Sequence, residues 1–244
     1  MLVTSGKVLK PKTMLAAVLL VFLAGCEDPR FPRDPEGTLE AVLETEEMTV
    51  AAVHHPPWVV INDGEAPLGV EAGLVEDFAE ELGVAIEWRR LSAFAALEGL
   101  EQGEVDLAIG GFTQKDVSPH AGAAPTYAYF TSTLLVGAAP GAPIPVELAG
   151  EEVLVPPYVM ASRLVRRKGG VAVDETAHET GTYLAALPHW QLEARGLVPT
   201  KIELRRDKHV LVVPQGENAW VMRLERFLRR ASGGFADRLR GYPS

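Results

Sequence analysis

The apolar positions change period along the chain, and each change marks an element. Met14 to Leu23 is an unbroken apolar run that follows Lys7, Lys10 and Lys12. It falls well short of the roughly 20 residues a membrane-crossing helix needs. A basic start, a short apolar core and small residues behind it instead make a cleaved export signal. From Glu27 to Glu47 the pattern turns charged and proline-bearing, with apolar positions at Leu39, Val42 and Leu43. That predicts a tether ending in one or two helical turns, with the folded body starting near Met48.

Met48 to Val53 is a β-prone apolar run that leads into His54-His55-Pro56-Pro57-Trp58. The prolines have no N–H to give a ladder, so the pattern predicts a buried strand feeding a rigid loop. Asn62-Asp63-Gly64 is a turn signal, after which Leu74, Val75, Phe78 and Leu82 recur at helical spacing until Gly83 stops them. Val84 to Leu91 reads as the next strand, Ser92 caps a helix through Leu100, and Val105 to Ile109 is a third strand ending in Gly110-Gly111. This alternation predicts βαβαβ with a parallel sheet.

A β-prone stretch from Tyr129 to Val136 is followed by a break of small residues, Gly137 to Pro143, where a second unit begins. It offers a strand at Glu152 to Val155, a basic helix at Ala161 to Lys168, a strand at Val171 to Val173 and an apolar run at Tyr183 to Leu187. No helix is expected between Val173 and Tyr183. Lys201 to Leu204 and His209 to Val213 read as extended returns, and Trp220, Val221, Leu224, Phe227 and Leu228 form the apolar stripe of a closing helix. Gly233 to Ser244 is expected to carry little order.

Composition narrows the classes. Removing residues 1–25 takes away three lysines and no acid, so the net charge moves from −10 to −13. Such a chain is a poor partner for nucleic acid or for an anionic membrane surface. The lone cysteine, Cys26, closes Leu23-Ala24-Gly25-Cys26, which resembles the lipobox of bacterial lipoproteins. The resemblance implies cleavage before Cys26, a diacylglycerol on its thiol, a tether over 26–47, and an extracytoplasmic, lipid-anchored location. No thiol then remains for a disulfide or a thiolate metal site, so no metal or cofactor is expected and packing alone must supply stability.

Four segments together are similar to the bacterial extracellular solute-binding proteins of the polar amino-acid type, the binding subunits of ABC importers. They are His54 to Trp58, Pro67 to Glu71 with its helix, Gly103 to Thr113, and Val212 to Trp220. The resemblance implies a periplasmic-binding-protein-like α/β fold: two α/β lobes joined by two crossing strands, the second lobe reduced. Lobe 1 would comprise residues 48–128 and a return over 208–236, lobe 2 with the hinge strands residues 129–207, and a tail residues 237–244. The implied partners are a small polar solute and an ABC permease, with the protein itself a monomer.

In open α/β sheets ligands sit beyond the carboxyl ends of the strands, near helix amino ends. The loops His54 to Trp58 and Gly110 to Thr113 occupy that position. Gly110 and Gly111 would let backbone approach a ligand closely, the Thr113 hydroxyl would donate and accept, and Trp58, Phe112 and Tyr127 would supply flat walls. His54 and, from the second lobe, Trp190 complete the candidate ligand set. Glu71 begins a helix whose amino end would stabilise it, a structural role, and Arg163, Arg166, Arg167 and Lys168 form a solvated helix face.

The sequence also departs from the family. Amino-acid binders of this type place an arginine shortly after the Gly-x-Thr segment to grip the α-carboxylate, but Gln114 to His120 holds none, and Lys115 lacks the planar fork. The aspartate that meets the ligand amine from the second lobe has no clear counterpart. No catalytic set is evident. The rival readings are a periplasmic dehydratase or other lyase on the same fold, with Glu71, His54 and His189 as its only proton shuttles, and a ligand-sensing adaptor module.

Overall fold

A computed structural model describes residues 34–156, 159–174 and 183–241. The export signal, Cys26 and the tether up to residue 33 lie outside the described residues, as do 175–182, within the stretch where no helix is expected, and 242–244 of the tail.

The first half runs α1 (Thr38–Thr45), β1 (Glu47–Ala52), α2 (Val70–Leu82), β2 (Ala85–Arg90), α3 (Ala93–Glu101), β3 (Leu107–Ile109), α4 (Gln114–Val117) and β4 (Ala123–Pro125). Gly83 ends α2 because it takes a left-handed conformation, φ 76°, from which its N–H reaches the carbonyls of Ala79 and Glu80. Ser92 caps α3 by accepting the N–H of Ala95 at 3.2 Å. β1 pairs in parallel with both β2 and β3. It therefore sits inside the sheet and is apolar on both faces. One face packs under Leu74, Val75 and Phe78 of α2, the other under Ala96, Leu97 and Leu100 of α3.

The second half runs β5 (Phe130–Ala138), β6 (Glu152–Val155), α5 (Val159–Arg167), β7 (Val171–Asp174), β8 (Leu184–Pro188), α6 (His189–Leu192), β9 (Val198–His209), β10 (Val212–Pro214), α7 (Asn218–Ala231), a 3₁₀ turn (Ser232–Gly234) and α8 (Phe235–Gly241). Two five-stranded sheets result, ordered β2-β1-β3-β10-β4 and β7-β6-β8-β5-β9. The antiparallel pair β5 and β9 makes the two crossings, and β10 returns antiparallel to β3 and β4 in the first sheet. The fold is thus the two-lobed α/β architecture that the resemblance implies. What the second lobe has little of, among the described residues, is helix: only α5 and the one-turn α6.

Three expectations are corrected. The two extended returns expected at Lys201–Leu204 and His209–Val213 are a single long strand, β9, followed by β10, because pairing with β5 carries the polar residues between them. The body does not begin at Met48. α1 buries Val42 in the lobe 1 core, and its amino end is held by the Glu217 carboxylate, which accepts the N–H groups of Glu36 at 2.9 Å and Thr38 at 3.0 Å. The tail is not loose either. α8 buries Phe235 and Leu239 against α2 and α6, and Arg238 pairs with Asp77 at 2.6 Å. The Gly233-Gly234 break conceals this helix from a periodicity reading.

Candidate functional site

β1 and β3 end side by side, and the N–H of Val53 reaching the Ile109 carbonyl at 2.9 Å sends both following loops off the same edge. His55 Nδ1 lies 2.7 Å from the Gly110 carbonyl, and His54 Nδ1 accepts the N–H of Ile61 at 3.0 Å. Gly111 has φ 67°, and a Cβ there would come within 2.5 Å of the Trp58 indole and 2.7 Å of the His55 imidazole. Only glycine lets those two rings close over the loop. The close approach expected at Gly110-Gly111 is therefore made by the protein's own side chains.

Beneath this loop lies Glu71, in the first turn of α2 and fully buried. One carboxylate oxygen accepts the N–H groups of Gly110 at 2.7 Å and Gly111 at 2.9 Å, and the other accepts the Tyr129 hydroxyl. Burial raises the Glu71 pKa, while the Tyr129 hydroxyl and the two glycine amides oppose it. Tyr129 is raised well above its usual range by burial and by the neighbouring carboxylate. Glu71 therefore joins the loop after β3 to the start of the crossing strand β5.

Trp58 is 4% exposed and stacks on His209, with ring centroids 3.8 Å apart. Phe130, Trp190 and Phe235 surround it at about 6 Å. The cluster joins side chains of both lobes and of α8. His209 sets its Nδ1 3.1 Å from the Gly111 carbonyl and its Nε2 2.8 Å from the Ser132 hydroxyl. Burial lowers its pKa to about 4, the Gly111 carbonyl and Asp207 opposing the shift. His189, stacked on Phe130, is also lowered by burial.

Thr113 is buried, and both its N–H and its hydroxyl donate to Asp116 Oδ2, at 2.8 and 2.7 Å. Tyr127 turns away toward α7, where its N–H donates to Glu225 at 2.7 Å and the Arg229 guanidinium lies 5.5 Å from its ring. Beside these groups a cavity of about 440 Å³ opens at the carboxyl ends of β1 and β3, walled by His54, His55, Phe94, Phe112, Asp116 and His120 among others. Of the sequence candidates, His54, Gly110, Gly111 and Phe112 line it, whereas Trp58, Thr113, Tyr127 and Trp190 do not. Sequence reasoning missed Phe94, Asp116, Tyr129 and His209. The Thr113-x-x-Asp116 spacing is a capping signal that was legible; His209 inside an extended stretch left none. No group of three or more His, Cys, Asp or Glu side chains among the described residues is placed to hold a metal ion.

Residues 48–233 match the family model described as bacterial extracellular solute-binding proteins, family 3. A membrane-bound lytic murein transglycosylase F of Photobacterium profundum is 31% identical over 123 residues, which cover 49% of this chain and 23% of that protein. The chain spans about a fifth of the length of the curated relatives it matches. An ancestral cationic amino acid solute binding protein superposes with a TM-score of 0.64 at 13% identity, covering 84% of this chain and 98% of the other. The L-cystine solute receptor of Neisseria gonorrhoeae, in its unliganded open conformation, gives 0.61 at 12%, covering 81% and 92%. At such identities these superpositions establish the fold.

Proposed function

This chain belongs to the bacterial extracellular solute-binding proteins, family 3, and from that premise we propose that it is a lipid-anchored receptor that captures a small polar solute in the lobe 1 cavity and passes it to an ABC permease. The observation that carries the reading is the cavity itself. It lies where open α/β sheets bind ligands, and five of its wall residues, His54, His55, Ala93, Phe94 and Asp116, are exposed rather than packed into the core. No helix of the described residues is long and apolar enough to cross a membrane; the anchor in this reading is Cys26, on the lipobox-like Leu23-Ala24-Gly25-Cys26 sequence. Seven residues lie between Cys26 and Asp34, where the body begins, so eight residue steps span the gap. At roughly 3.5 Å per extended residue the lipid would hold the body within about 30 Å of the surface.

The test is thermal unfolding of the detergent-purified protein against amino acids, amines, carboxylates, small peptides and muropeptides. A ligand at 100 times its Kd adds about 2.7 kcal/mol, worth roughly 5–10 °C for a body of this size. A panel that shifts nothing would refute solute binding. Cys26→Ala should move the protein from the membrane to the soluble fraction; retention on the membrane would remove the anchor.

A second reading, a sensing module for a cell-wall fragment, draws on the murein transglycosylase relatives and on the aromatic cluster that ties the two lobes through the protein's own side chains. A shift with muropeptides alone would favour it. The lyase reading has less support, because Glu71 is sealed beneath the Gly110-Gly111 loop and engaged by Tyr129. Turnover of a bound compound that Glu71→Gln abolishes would restore it.

A further inference from the structure

Resting on the solute-binding reading, we propose that the lobe 1 cavity selects an organic amine that carries no carboxylate, an ammonium on a flat or apolar body. The argument starts from the donors that would hold a carboxylate. The N–H groups of Gly110 and Gly111 are both spent on Glu71, and the N–H and hydroxyl of Thr113 are both spent on Asp116. Two internal carboxylates thus occupy the places a ligand carboxylate would take.

The wall offers no cationic substitute. None of its described residues is an arginine or a lysine, and its only formally charged side chain is Asp116. Asp116 uses Oδ2 for Thr113, and its Oδ1 takes no hydrogen bond from the described residues. A ligand carboxylate would face this negative charge with no cationic side chain on the wall to offset it, whereas an ammonium would meet it directly.

The imidazoles suit the same ligand. His54 Nδ1 accepts an N–H, so its Nε2 carries hydrogen and donates. His55 Nδ1 faces a carbonyl, so it carries the hydrogen and leaves Nε2 as an acceptor. An N–H-rich ligand therefore finds acceptors at Asp116 and His55, and a hydroxyl or ring nitrogen on its body finds a donor at His54. Phe94 is 68% exposed on the wall, and buried Phe112 lines the same cavity. An exposed aromatic ring on a wall that also carries a carboxylate is a surface that a cation or a flat apolar body covers favourably.

Matched pairs test this on the detergent-purified protein by calorimetric titration: tyramine against tyrosine, histamine against histidine, cadaverine against lysine. In at least one pair the amine should bind more than about tenfold tighter than its amino acid, a margin of 1.4 kcal/mol. Asp116→Asn, which keeps an acceptor for Thr113, should remove most of that preference, and Phe94→Ala should weaken the amine without restoring the amino acid. An amino acid that binds as tightly as its amine in every pair overturns the inference and leaves solute binding standing. A pair preference that Asp116→Asn leaves unchanged overturns it too. If neither member of any pair binds, the inference falls, and the wider ligand panel decides solute binding separately.

Discussion

Protonation of His209 should be resisted by the fold, and the resistance has a calculable size. Its pKa falls from 6.5 to about 4 because the ring is buried against Trp58, and the Gly111 carbonyl beside its Nδ1 opposes the shift without cancelling it. Below pH 6.5 the unfolded chain takes up the proton first, so the contribution to stability is complete above pH 6.5 and is lost as pH falls through about 4. A shift of that size corresponds to about 3 kcal/mol at 1.36 kcal/mol per unit.

His209→Gln isolates the effect. Glutamine can still donate to Gly111 and accept from Ser132 but does not titrate, and it gives up the ring stack, about 1 kcal/mol beyond its buried area. Urea unfolding followed by tryptophan fluorescence from pH 7.5 to 4 should show the wild type ahead at the high end, with the difference closing by about 3 kcal/mol and changing sign at the low end. Asp34, raised to about 6 by burial and by Glu217, pulls the other way, adding stability as pH falls. It is present in both proteins and cancels in the difference. A gap between wild type and variant that stays constant across this range would refute the argument.

Three further outcomes follow from the packing. Glu71→Ala strands the N–H groups of Gly110 and Gly111 and the Tyr129 hydroxyl, and should cost several kcal/mol in urea unfolding, at about 1–3 kcal/mol per buried unpaired group; a loss under about 0.5 kcal/mol would mean the three bonds carry no weight. Trp58→Ala should cost about 3–5 kcal/mol of stability, the usual range for a buried aromatic, and undiminished stability would return Trp58 to the role of a ligand wall. Deleting residues 235–244 removes buried Phe235 and Leu239 together and should lower the melting temperature by roughly 10 °C or more; an unchanged melting temperature would show that α8 does not brace the two lobes.

The strands and helices of lobe 1 were legible because each is a local pattern: the apolar run Met48–Val53, the helical stripe Leu74–Leu82 with its Gly83 stop, the Ser92 cap. The same local cues misled at the ends of the body. The helical turns expected at Leu39, Val42 and Leu43 do form α1, but their charged surroundings assign them to a tether, and Gly233-Gly234 resembles the start of disorder, yet Glu217 and Asp77 reach both segments from elsewhere in the chain.

The sequence by itself determined the alternation of elements, the two-lobed fold, the lack of an arginine after Thr113 and the position of the loops that build the cavity. Only the tertiary structure decided what those loops do. Glu71 meets Gly110 across 39 residues and Tyr129 across 58, and His209 meets Gly111 across 98. Periodicity records which face of an element is buried, whereas a hydrogen bond between distant segments depends on how the sheets bring their edges together. That is why Gly110-Gly111 reads in the sequence as a close backbone approach to a ligand, whereas in the folded protein Glu71 already takes both amides.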